Sequence, residues 1–164
     1  MTRQASQGIN VKSSTRYQGA IIQDHQLLLL KQLEHASDRV YWQIPGGGIE
    51  PDETEAQCVQ REMLEETGLS VQVDSLLLDE PSAPDAIYQR WKTYRCTILA
   101  GEAHPGSEPE ATYADAYSFT EVGWFDLRYP VTWNKRIEAD SYIYAWLQRV
   151  QEALGYMVVG YGVR

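Results

Sequence analysis

At 164 residues, 43% hydrophobic and 23% charged, the chain has the size of one ordinary domain and enough apolar residues to bury a core. A formal net charge of −9 argues against broad affinity for nucleic acid, although a bound divalent cation can reverse the sign of a local site and admit a phosphorylated ligand. The longest apolar run, the four leucines 27–30, is far short of the ~20 residues that span a bilayer, and the first residues lack the apolar stretch of a secretory signal, so the expected location is the cytoplasm, with no membrane partner.

Residues 1–15 are small and polar and read as a flexible leader, leaving 16–164 as a single domain. Two apolar runs, 19–22 and 27–30, flank the turn-like Gln-Asp-His-Gln at 23–26 and predict a β-hairpin. Residues 39–45 predict a third strand, ended by Pro45 and three glycines. From Thr54 to Thr67 the spacing predicts a helix, with Asp52 and Thr54 as candidate caps, Gly68 as its stop and Ala56, Val59 and Met63 as its buried stripe. A strand follows to about residue 80, then a proline-bearing loop at 81–86 and a long strand over 87–102 with Tyr94, Cys96 and Ile98 on one face. A polar loop covers 103–116, a strand 117–127, and a last helix about 135–154, with Ile137, Tyr144, Leu147 and Val150 among its apolar positions. The apolar tail 155–163 predicts packing against the domain or against a second copy, as in a homodimer. Cys58 and Cys96 lack any disulfide or metal spacing and read as small buried hydrophobes. Strands outnumber helices, and most of them lie between the two helices in sequence. That order predicts an α/β (α+β) fold, a mixed sheet with helices on its two faces.

The segment 46–69 carries the chemistry. On a helical wheel centred on Glu62, Glu66 lies ~40° to one side and Glu65 ~60° to the other, so three carboxylates share one arc of roughly 100°. The stripe of Ala56, Val59 and Met63 occupies the neighbouring arc, which leaves the acids on a solvated, self-repelling face. Hard divalent cations prefer carboxylate oxygens and relieve such repulsion, and a helix fixes the ligand spacing before the metal arrives. Gly47, Glu53, Arg61, Glu62, Glu65, Glu66 and Gly68 also follow G-x5-E-x7-R-E-U-x-E-E-x-G-U, where Met63 and Leu69 fill the aliphatic positions U. Those seven identities would arise by accident roughly once in a million sequences of this length.

This pattern resembles the box of the Nudix hydrolases, with every fixed position present. The sequence Trp-Gln-Ile-Pro-Gly-Gly-Gly-Ile-Glu upstream and Glu-Val-Gly-Trp-Phe-Asp-Leu downstream is similar to that family's flanking strands. The resemblance implies an α/β/α sandwich, a Mg2+ or Mn2+ cofactor, and hydrolysis of a diphosphate linking a nucleoside to a further group. The small-nucleotide substrate then belongs among nucleoside triphosphates, ADP-ribose and other nucleotide sugars, or dinucleoside polyphosphates. Two further readings follow from the same family: hydrolysis at the 5′ end of RNA, and a non-catalytic nucleotide-binding sensor. By position, Glu62, Glu65 and Glu66 are the implied metal ligands, Gly46, Gly47 and Gly48 the close-approach loop, and Glu53 with Arg61 an anchoring ion pair, Glu53 also lying within reach of the metal. Glu108, Glu110 and Glu121 are the downstream candidates for general base. Tyr88, Arg90 and Trp91 are candidate substrate contacts on a strand that also carries Lys92, Tyr94 and Arg95, with Arg16 and Tyr17 as weaker ones. His25, His35 and His104 lie in turn-like segments and read as surface residues.

Overall fold

The computed structural model describes residues 14–82, 87–106 and 116–156. Strands β1 (Thr15–Gln23) and β2 (Gln26–Glu34) form the expected antiparallel hairpin. Its two-residue turn holds both Asp24 (φ 49°) and His25 (φ 65°) in the left-handed region, the geometry that matches the twist of the flanking strands. β3 (Arg39–Gln43) and β7 (Tyr117–Asp126) pair antiparallel with β2, while β6 (Arg90–Ala100) runs parallel to β1 and carries β5 (Ser70–Pro81) on its outer side. The short β4 (Gly46–Gly47) joins β1 opposite Tyr17 and Gln18. The result is a mixed seven-stranded sheet, as the order of elements predicts.

Two apolar cores lie against this sheet. One collects Cys58, Val59 and Met63 of helix α1 (Glu55–Thr67) against Tyr17, Leu28 and Cys96. The other collects Trp133, Ile143, Trp146 and Leu147 against Leu27, Leu29 and Phe125. Leu27 and Leu29 join the second core and Leu28 the first, and all four leucines 27–30 are fully buried, which explains an unbroken apolar run in place of alternation. Both cysteines are free and buried, as expected.

Several details differ from the sequence reading. The first strand starts at Thr15, which is buried; residues 1–13, on which the expected leader falls, lie outside the described set. On α1 the stripe is shifted: Ala56 is exposed and Cys58 takes its place, because the helix packs through the arc that includes Glu62 and Glu66. Asp52 is not a cap; it sits in the preceding loop at φ 61°, and Thr54 caps alone. The last helix, α2, spans only Tyr142–Ala153. Before it, Pro130–Lys135 forms a 3-10 turn pinned by buried Trp133, whose Nε1 donates to the Asp126 carbonyl at 2.8 Å. That anchor ties the turn to β7, and Ser141 caps a new helix. Ile137 is buried as expected but lies between the two helical pieces. The tail from 157 onward, where the homodimer contact was expected, lies outside the described residues.

Candidate active site

Helix α1 is set rigidly at both ends. Thr54 accepts from Gln57 N at 3.1 Å while the Gln57 side chain accepts from Thr54 N at 2.9 Å, a complete capping box. Gly68 ends the helix at φ 73°, its N–H bonded to the Leu64 carbonyl at 3.0 Å. Glu55 in the first turn accepts from Lys92 Nζ at 2.9 Å and from the Tyr94 hydroxyl, which ties the helix to β6. Lys92 and Tyr94 are thereby engaged in holding the scaffold.

The glycine loop meets this helix at close range. A Cβ on Gly46 would overlap the Tyr17 carbonyl, and one on Gly47 would fall on the Glu62 carboxylate. Only glycine lets the backbone approach there. Gly46 N donates to Glu66 Oε2 at 2.9 Å, so loop and helix are joined through a box carboxylate. Tyr17 is a core residue, 1% exposed, and does not face the cleft.

Arg61 is the hub of the acidic cluster. Its Nε and Nη2 grip Glu53 at 2.7 and 3.0 Å, Nη2 also donates to the Gly48 carbonyl at 3.0 Å, and Nη1 reaches Glu62 at 2.9 Å and Glu65 at 3.3 Å. The Arg61 hydrogen bonds hold the Glu53 carboxyl below the ordinary value, and the same contacts push the guanidinium upward. Glu62 is different: burial raises its carboxyl to about 7 despite the opposing pull of Arg61 and Arg16. Burial likewise pushes the Cys58 thiol up to about 12, which leaves it protonated and inert.

The acids are therefore not on a solvated face. Glu62 is 7% exposed and Glu66 3%, whereas Glu65 stays at 30% in its side chain. Among the described residues no three carboxylate, histidine or cysteine side chains converge on one point as a ready metal cage. Glu62 and Glu65 converge instead on one guanidinium nitrogen, and Glu66 on Gly46 N. The donor set still fits a hard cation. All the donors are carboxylate oxygens, Glu50, Glu53, Glu62 and Glu65 share the single charge of Arg61, and Glu62 is desolvated without full compensation.

Two cavities open beside the cluster. A cleft of about 210 Å3 is walled by Gly46, Gly47, Gly48, Glu62 and Glu66, with Tyr88 across from the glycines. An adjoining pocket of about 260 Å3 is aromatic, with Tyr88, Trp91, Tyr41 and Tyr142 among its walls. Arg16 lines both, donating Nη2 to the Ile44 carbonyl at 2.9 Å and lying 6.0 Å from the Tyr88 ring. Trp91 packs edge-on against Tyr142, and its buried Nε1 has no hydrogen-bond partner among the described residues. Of the three expected substrate contacts, Tyr88 and Trp91 are brought to this region; Arg90 is not, since it faces Asp79 of the neighbouring strand at 2.5 Å and lines neither cavity.

Glu121 is also placed elsewhere. It sits on β7 opposite Lys31, pairs with Lys31 at 3.3 Å and Arg136 at 3.7 Å, and lines a different cavity. Glu108 and Glu110 lie outside the described residues. His25 and His35 are exposed, bonded to Tyr156 and Ser118 respectively, while His104 sits over Gly68. The sequence reading missed Tyr41, Gln43, Tyr117 and Tyr142 as cavity walls. Alternation along β3 puts Tyr41 and Gln43 on one face, but that this face meets the glycine loop depends on pairing Gln32 with Tyr41 across β2 and β3.

With this geometry in view, the comparisons with known proteins agree on one class. The chain belongs to the Nudix family: the profile described as NUDIX domain matches residues 15–147. A MutT-like protein of Streptomyces ambofaciens is 41% identical over 54 residues, a match that spans 33% of this chain and 32% of that relative. Among solved structures, an ADP-ribose pyrophosphatase from Streptococcus suis superposes with a TM-score of 0.60 at 21% identity, covering 87% of this chain and 92% of the other. A Nudix hydrolase from Nitrosomonas europaea gives 0.64 at 17% identity, covering 93% and 98%. At such identities the structural likeness speaks for the fold.

Proposed function

We propose that the protein hydrolyses the diphosphate bond of a nucleoside diphosphate linked to another group, in a reaction that requires Mg2+ or Mn2+. The observation that carries this reading is the position of Glu62 and Glu66 in the wall of a glycine-lined cleft beside an aromatic pocket. Glu62, Glu65 and Glu66 would hold the cation. When bound, it supplies counter-charge to the diphosphate and lowers the pKa of a water molecule. The remaining work falls to the chain. Arg61 and Glu53 fix the carboxylates in place, and the backbone of Gly46, Gly47 and Gly48 lets phosphate oxygens approach closely. Arg16, standing between the two cavities, meets the negative charge of the phosphates, while Tyr88 and Trp91 offer faces on which a base can stack.

The test is a panel of nucleoside triphosphates, ADP-ribose, nucleotide sugars and dinucleoside polyphosphates, with Mg2+ and then Mn2+, followed by release of nucleoside monophosphate, phosphate or pyrophosphate. One class is expected to turn over, and Glu65→Gln to reduce its kcat by at least about a hundredfold. Silence across the panel with tight nucleotide binding retained would instead make the chain a sensor. Undiminished turnover by Glu65→Gln at saturating Mg2+ would remove the box from the mechanism.

A further inference from the structure

A third cavity, of about 540 Å3, lies where β2, β3 and β7 meet the segment leading into α2. Four cations line it, Lys31, Arg39, Lys135 and Arg136, against two carboxylates, Glu121 and Glu138. In a chain of net charge −9 that is a local reversal of sign. We propose that this cavity binds a phosphate or diphosphate group, separately from the box cleft.

The geometry of Arg136 supports a built site. Its guanidinium carbon lies 4.6 Å from the Trp42 ring centre and 4.2 Å from that of Phe125, and Nη1 donates to the Trp124 carbonyl at 3.0 Å. Gly123 makes this possible, since a Cβ there would overlap Nη2 and come within 2.6 Å of Trp42. A stacked, hydrogen-bonded arginine has little rotamer freedom left to lose when it meets an anion. Its remaining charge is weakly matched: Glu121 lies 3.7 Å from Nη2 and is shared with Lys31 at 3.3 Å. Arg39 and Lys135 have no carboxylate partner among the described residues. A planar fork, two ammonium groups and a second guanidinium suit a phosphoryl group bearing two or more charges.

Two sources supply that chemistry. One is inorganic phosphate or diphosphate free in solution. The other is the distal phosphate of an extended nucleotide, because the cavity shares Tyr41, Trp42 and Ile143 with the aromatic pocket. The binding claim does not rest on the hydrolase reading, so it is tested without divalent cations, where the box carboxylates repel anions.

Sodium pyrophosphate and diadenosine tetraphosphate are titrated separately into the whole chain in EDTA-containing buffer and followed by amide nuclear magnetic resonance. Saturable shifts are expected in residues 39–42 and 135–138, weakened at least about tenfold in the double variant Arg39→Glu/Lys135→Glu. If pyrophosphate alone shows this dependence, the site serves a free anion. If diadenosine tetraphosphate shows it, with Tyr88 and Trp91 shifting in the same titration, the site serves an extended substrate. If neither ligand gives saturable shifts there, or the double variant binds both like the parent chain, the proposal fails, whatever the activity panel returns.

Discussion

Glu62 shows how one residue can be read correctly for identity and wrongly for environment. Its place in the box is a matter of spacing, but it is only 7% exposed, with the glycine loop so close that a Cβ on Gly47 would fall on its carboxylate. The folded carboxyl titrates at about 7 against an ordinary value of 4.5 because burial disfavours its charge. Between those two values the folded chain keeps a proton that the unfolded chain has released. This contribution is therefore present below 4.5 and lost as pH rises through 7. Glu53 has the opposite sign: Arg61 lowers its carboxyl, so its contribution is present above the ordinary value and lost as pH falls through the lowered one. Glu62→Gln is thus expected to raise the stability of the metal-free protein at pH 8 by up to about 3 kcal/mol, with the gain vanishing toward pH 4.5. Thermal unfolding at the two pH values checks this. A midpoint for Glu62→Gln at or below the parent's at pH 8 would mean that Arg61 fully compensates the buried charge.

At the level of elements, α1 was the most legible piece of the chain. Its cap, its stop and its carboxylate spacing are all local, within one or two turns of the backbone that they satisfy. Removing the cap oxygen with Thr54→Ala leaves Gln57 N without its partner and is expected to cost about 1 kcal/mol in urea unfolding. Since Arg61 and the three box glutamates ride on this helix, the same variant should lose more catalytic rate than stability explains only if the first turn frays. The face of the helix was less legible. Helical spacing alone cannot say that Cys58 is inside and Ala56 outside, because that depends on the side from which β1 and β6 approach. The last helix shows a similar limit. Apolar positions continue at compatible spacing through Ile137, yet the backbone breaks before Ser141, because Trp133 is bound to β7 by a contact no local pattern contains.

The whole molecule is a sheet held between two cores, one behind α1 and one behind α2. Trp146 is fully buried in the second core, and Trp146→Ala is expected to destabilise the chain by about 3–5 kcal/mol, read as a lowered urea midpoint with an unchanged slope. Ile143, Trp42 and Ile44 belong both to that core and to the wall of the aromatic pocket, which α2 also lines with Tyr142, so the packing of α2 and the shape of the candidate base site are linked.

By itself the sequence determined the family, the helix that mounts the carboxylates, the glycines that approach them and most of the strands. Each of these is written in spacings of a few residues, where the chain's own geometry sets the answer. Tertiary structure alone decided that Glu62 and Glu66 are buried, that Arg16, Tyr41 and Tyr88 gather at one cleft, and that Glu121 and Arg90 stand outside it. Those outcomes depend on strand register and on which faces meet, and residues dozens of positions apart carry no local mark of the neighbour that will cover them.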